Sequence, residues 1–131
     1  MIKYRTNAKL RIADIIRVFD SSGIRRPTSD PDRIRQMFEN SNLIISAWNG
    51  LVLIGIARSV TDFSYCCYLS DLAVDKEFQR AGIGRSLIEL TREAISENCM
   101  LLLLSAPEAM EYYPKIGFEK TTNGFIIKRI K

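Results

Sequence analysis

The order of patterns in this sequence predicts a mixed α/β (α+β) fold. A largely antiparallel central sheet of about six or seven strands would be flanked by four helices. Three observations carry that expectation. Asn49-Gly50 separates two β-rich runs, the strongest two-residue hairpin signal there is. An amphipathic pattern starting at Gly82 follows one strand and precedes another apolar run, which reads as a crossover unit. The chain has 131 residues, 47% hydrophobic and 26% charged, enough for one compact domain over residues 1–131 and too little for two of ordinary size.

Taken in order, Ile2 to Thr6 reads as a first strand. Ile12, Ile15, Ile16 and Phe19 then follow the i, i+3, i+4, i+7 rule of a helix face, and Ser21-Ser22-Gly23 closes that helix. Asp30-Pro31 looks like an N-cap with proline at the first helical position, opening a short helix with Ile34, Met37 and Phe38 inward. Leu43 to Trp48 and Leu51 to Val60 form the hairpin, and after the turn at Thr61-Asp62 a third antiparallel strand runs from Tyr65 to Val74. From Gly82 to about Glu97 a helix places Ile83, Leu87, Leu90 and Ala94 on one face and an Arg85–Glu89 pair on the wet side. Met100 to Leu104 is a continuous apolar run, as expected of a strand covered on both faces. Pro107 to Ile116 reads as a short helix stopped by Gly117, and Phe118 to Lys131 as a hairpin turning at Asn123-Gly124.

Composition narrows the chemistry. The chain holds no histidine, which removes Ser-His-Asp and Cys-His triads and histidine general bases. Zinc would need cysteine and carboxylate alone, and three cysteines cannot supply a Cys₄ site, so no metal is expected. The start of the chain lacks a signal-peptide core and no apolar run is long enough to span a bilayer, so a cytoplasmic protein without membrane attachment is expected. Cys66, Cys67 and Cys99 then read as reduced, mostly buried thiols. The net charge of +4 is spread along the chain, as for a solvated surface and not a nucleic-acid footprint.

The most informative stretch is Gln79-Arg80-Ala81-Gly82-Ile83-Gly84-Arg85, which joins a strand end to a helix start. The first turn of a helix offers unpaired N–H groups and the positive end of the macrodipole, so a loop entering it can hold phosphate. Glycines 82 and 84 remove the Cβ atoms that would keep a pyrophosphate from the backbone, and Arg80 and Arg85 add charge. A P-loop is excluded because glutamine stands at 79 and arginine at 85. A dinucleotide fingerprint is excluded because Leu87 occupies its third glycine.

Gln79-Arg80-Ala81-Gly82-Ile83-Gly84 resembles the Gln/Arg-x-x-Gly-x-Gly/Ala signature of the GCN5-related N-acetyltransferase (GNAT) superfamily. Glu111-Tyr112-Tyr113-Pro114-Lys115-Ile116-Gly117-Phe118 is similar to its downstream Phe-Tyr-x-Lys-x-Gly-Phe element. The chain's length and element order resemble a minimal member. The resemblance implies acetyl-CoA in a V-shaped gap between the fourth and fifth strands, its pyrophosphate on the amides of Arg80 to Arg85. Leu72, Ala73 and Val74 would pair with the pantetheine arm, with the Val74 amide polarising the thioester carbonyl. Ala109, Tyr112 and Tyr113 would complete the cofactor site. Ala106 stands where the family often has asparagine, leaving Ser105 or backbone groups to hold the arm.

The implied reaction is direct attack by a primary amine of a small molecule or peptide, with no covalent enzyme intermediate. Tyr113 occupies the family's acid position. With a reference pKa of about 10 against about 8.5 for a thiol, it could protonate the departing sulfur. The general base stays open between Tyr68, Ser70, Asp71 and water. On simple alternation Tyr68, Ser70 and Leu72 share one strand face, whereas Asp71 shares the other with Leu69 and Ala73 and reads as a structural acceptor. The acceptor pocket would lie between the first two helices, the Gly23–Asp30 loop and the last hairpin, with Arg25, Arg26 and Trp48 as candidate contacts. A non-catalytic acyl-CoA-binding domain is the alternative function, and a homodimer is left open.

Overall fold

The computed structural model describes residues 1–131. The strands are β1 (Ile2–Thr6), β2 (Leu43–Asn49), β3 (Val52–Thr61), β4 (Cys66–Val74) and β5 (Met100–Leu102). The helices are α1 (Ile12–Ser22), α2 (Pro31–Glu39), α3 (Ile83–Ile95) and the single turn α4 (Tyr112–Lys115). One sheet carries the strands in the order β1-β2-β3-β4-β5, antiparallel up to β4 and parallel between β4 and β5. The expected fold class stands.

Local signals act where they were read. Gly23 ends α1 in the left-handed region at φ 84°, a conformation that costs glycine nothing. The Asp30 carboxylate accepts the Arg33 N–H at 3.2 Å and Pro31 opens α2. Gly50, at φ 62°, turns the β2–β3 hairpin.

The sheet separates two apolar layers. On one side α3 sends Ile83, Leu87, Ile88 and Ile95 onto Leu43, Ile45, Ile54 and Leu69. On the other, Ile15, Val18 and Phe19 of α1 and Ile34 and Phe38 of α2 cover Leu53, Ile56 and Ala73. α3 rides close to the strands because β3 has glycine at 55: a Cβ there would come within 3.2 Å of both Ala47 and Leu87.

Four sequence expectations are corrected. The sheet has five strands, because Phe118–Lys131 forms no hairpin and no strand. The Asn123-Gly124 signal makes only a local bend, and an isolated hairpin with no sheet or helix beneath it is marginal in water. β5 ends at Leu102 and is an edge strand, with Met100, Leu102 and Leu104 exposed. Pro107–Ile116 is a 3₁₀ turn at Pro107–Ala109 followed by α4, because Pro114 cannot continue a helix arriving through residue 110. Finally, α3 stops at Ile95, where Ser96 turns to φ 69°. Of the cysteines, Cys67 is buried, Cys99 half-buried and Cys66 exposed.

Candidate active site

β4 and β5 pair only over Cys66–Tyr68 and Met100–Leu102. Beyond Tyr68 they part. The cause is visible on the other edge of β4, where Arg58 pairs with Asp71 but Ser59 pairs with Leu69. Ser70 is therefore an extra residue, a β-bulge that bends the strand and raises its twist. The bulge also corrects the facing expected from simple alternation. Leu69 and Leu72 both pack in the α3 layer, whereas Ala73 packs in the α1/α2 layer, so Asp71 and Leu69 do not share a face.

The parting strands open a cleft of about 1160 Å³. Its walls include Leu72, Ala73 and Val74 from β4, Gln79, Arg80, Gly82, Ile83, Gly84 and Arg85 from the loop and α3, and Ser105, Ala106, Ala109, Tyr112 and Tyr113 opposite. Ala81 is exposed in the same loop but is not part of the wall. Tertiary structure thus gathers three separated segments around one space. Sequence reading did not single out Ile24, Phe78, Leu103 or Glu108, which also line it; their side chains belong to no motif, so only the folded chain brings them there.

Backbone geometry at the mouth suits an anion. Gly82 caps α3 at φ 77° with no side-chain cap, and the helix's own ladder begins only where Ser86 N–H donates to the Gly82 carbonyl at 3.1 Å. The amides of residues 80–85 consequently meet no protein acceptor. A Cβ at Gly82 would touch nothing within 4 Å and one at Gly84 only Val74 Cγ2 at 3.9 Å, so the approach to those amides is open. Arg85 bonds Glu89 at 3.2 Å, and the Gln79 amide donates to the Val74 carbonyl at 3.0 Å, tying the loop to the strand end. Asp75 N–H donates to Ile54 on β3, and amides alternate along a strand, so the Val74 N–H faces the gap.

Across the cleft Tyr113 is half-buried, edge-on to Phe118 at 5.5 Å and to Tyr112 at 5.3 Å between ring centroids. Burial, with the neighbouring Tyr112, pushes its phenol above the ordinary tyrosine value. It stays a proton donor through neutral pH.

Asp71, by contrast, is fully committed. One of its oxygens accepts from Arg26 Nε at 2.5 Å and the other from Arg58 Nε. Arg58 continues to Ser41 Oγ at 2.9 Å and Ser70 Oγ at 3.1 Å, and its guanidinium lies over Phe38. Arg58 was missed in the sequence, although a lone cation inside the apolar run Leu51 to Val60 is a signal for a buried ion pair. Arg26 also donates to the Ser70 carbonyl at 2.7 Å, so it braces the α1–α2 loop against β4. Arg25 is exposed on the cleft wall. Trp48 lies elsewhere, its indole bonded to Ser46 and covered by Arg5. The last hairpin, expected opposite the acceptor pocket, does not form.

No helix is long and apolar enough to cross a membrane. Comparison with known proteins agrees with the geometry. A relative from Pyropia yezoensis named an uncharacterized N-acetyltransferase is 27% identical over 128 residues, covering 91% of this chain and 71% of its own. A GNAT-family acetyltransferase from Streptococcus pneumoniae superposes with a TM-score of 0.82 at 23% identity, covering 100% of both chains. An aminoglycoside N-acetyltransferase solved in complex with CoA superposes with a TM-score of 0.74 at 16% identity, over 100% of this chain and 96% of its own. The family model for the acetyltransferase (GNAT) domain matches residues 16–131, and the chain belongs to that family of acetyltransferases.

Proposed function

We propose that this protein transfers an acetyl group from acetyl-CoA directly to a primary amine of a small molecule or peptide. The observation that carries the reading is the row of unpartnered amides at residues 80–85, opening onto the same cleft as the Tyr113 phenol. The related fold solved with CoA supports the choice of co-substrate. Such a ligand fits these residues: Gly82 and Gly84 leave the amides bare for a pyrophosphate, Arg80 and Arg85 add positive charge, and Leu72 to Val74 offer a free strand edge to an amide-bearing arm. Ser105 and Ala106 face that edge from the far wall.

Bound acetyl-CoA supplies an activated thioester. The Val74 N–H, aimed into the gap, stabilises negative charge on the carbonyl oxygen as the amine attacks. Tyr113 gives its proton to the departing sulfur, which its raised pKa permits at neutral pH. Both Asp71 oxygens are occupied by guanidinium groups, so the amine's proton leaves to solvent at the open side, beside exposed Tyr68 and half-buried Ser70.

The test is Tyr113→Phe assayed by release of free CoA thiol across a panel of amines. Turnover should fall by about 10²-fold or more, with acetyl-CoA affinity measured by calorimetry unchanged. Equal turnover in the variant would remove Tyr113 from the reaction. Absence of turnover by the wild-type protein with every amine, alongside tight CoA binding, would establish instead a non-catalytic acyl-CoA sensor.

A further inference from the structure

The cleft has two ends. At one stand the free amides of residues 80–85, and at the other the Ser70 bulge, beside Ile24, Arg25 and Arg26 of the α1–α2 loop. Side chains hold the loop in that place. Arg26 donates through Nη2 to the Ser70 carbonyl at 2.7 Å, through Nε to Asp71 at 2.5 Å and through Nη1 to the Arg25 carbonyl at 2.6 Å. Where the same wall leaves α1, the Lys76 N–H donates to Ser21 Oγ at 3.0 Å. The main chain of Arg25 is therefore fixed. Its side chain is exposed on the wall and makes no hydrogen bond or ion pair within the protein.

The charge of this end is one-sided. The cleft wall carries arginines at 25, 26, 80 and 85 against a single acid, Glu108. Arg26 is answered by Asp71 and Arg85 by Glu89, and Arg80 belongs to the amide end. Arg25 is the cation left over beside the bulge. Behind it, Asp71 is shared by two guanidinium groups, so the cluster of Arg26, Arg58 and Asp71 keeps one net positive charge. An acceptor entering here meets a field that attracts a negative group and repels a polycation. The same field disfavours an ammonium group relative to the neutral amine that attacks, in a site with no histidine and with both Asp71 oxygens occupied.

We propose that the acceptor is a small amine that also carries an anionic group, a carboxylate or a phosphate, and that Arg25 binds this group. The proposal rests on the acetyl-transfer reading above, because that reading leaves the bulge end of the cleft to the acceptor. Arg25 offers the forked donor geometry that matches either anion. Arg26 is a positioning residue: it touches neither substrate and fixes the wall from which Arg25 extends.

Matched pairs of amines test this on the CoA-loaded protein. Alanine is compared with alaninamide and phenylalanine with phenylalaninamide for the carboxylate, and O-phosphoethanolamine with ethanolamine for the phosphate. Calorimetry should find, in at least one of the two classes, the anionic member bound about tenfold or more tighter than its neutral partner. Arg25→Gln should bring that ratio to about one, with CoA affinity and the thermal transition unchanged, since the Arg25 side chain holds no other group. Pairs that bind alike in the wild-type protein, or a preference that survives Arg25→Gln, would overturn the proposal. Release of free CoA thiol from acetyl-CoA separates it from the reading beneath it. Equal release with both members of every pair leaves acetyl transfer standing and removes the anion site. Absence of release with every amine, alongside a binding preference that Arg25→Gln abolishes, leaves the anion site standing and removes acetyl transfer.

Discussion

Asp71 has no exposure at all, and the charge it carries is tolerable only because each carboxylate oxygen meets a different guanidinium group. Asp71→Asn would leave Arg58 buried with its charge unanswered, since Arg58 is itself only 8% exposed. We expect a loss of about 3–5 kcal/mol in urea unfolding, and a loss well under 1 kcal/mol would show that the pair is not electrostatically important. Gly82 presents the reverse case, a residue whose replacement should spare the fold and destroy the site. A side chain there meets open space, but at φ 77° it costs about 1–2 kcal/mol. Gly82→Glu sets a negative charge in front of the free amides, so calorimetry should detect no acetyl-CoA binding while the variant still melts cooperatively. Unchanged affinity would move the phosphate site elsewhere. Both residues stand in the sequence as letters, but only Gly82 belongs to a recognisable motif. The partnership of Asp71 with Arg26 and Arg58 spans separations of 45 and 13 residues, and no local pattern encodes it.

Among the elements, β4 decides the site. Its one-residue bulge at Ser70 ends the pairing with β5 and swaps which residues face which helix layer. A period of two read along Tyr65 to Val74 cannot reveal an inserted residue, because the bulge is defined by the partner strand's register. The turn feeding β4 is more local and more legible. The Asp62 carboxylate accepts the N–H groups of Tyr65, Cys66 and Ser64, and these bonds hold its pKa down from 3.8 to about 2. A depressed folded-state pKa contributes stability that is present above the unfolded value and is lost as pH falls through the folded one. Unfolding midpoints of the wild-type protein should therefore drop between pH about 4 and about 2, and Asp62→Ala should flatten that limb and lower the midpoint at neutral pH. Identical acid limbs in the two proteins would deny Asp62 this role. Pro114 gives a third lesson at this scale: it confines α4 to one turn, which places Tyr113 on the cleft wall and Phe118 against its ring.

At the scale of the whole molecule, the sheet is bracketed by two apolar layers on its faces and left open at β5, and the two consequences differ in kind. On the inner side of β5 the opening is the cleft; on the outer side it is the unpaired edge of the sheet. Order and type of the main elements, the α1 and α2 caps, the β2–β3 turn and the glycine loop leading into α3 follow from the sequence alone, because each rests on neighbours within a few residues or on a periodic apolar face. The family could likewise be read from two short motifs in the right order. Only tertiary structure decided that the sheet stops at five strands, that β4 carries a bulge, that Asp71 is held between two arginines and that Trp48 lies away from the cleft. Each of these depends on which distant strand or side chain arrives opposite, and a pairing that spans tens of residues leaves no trace in the local pattern of either partner.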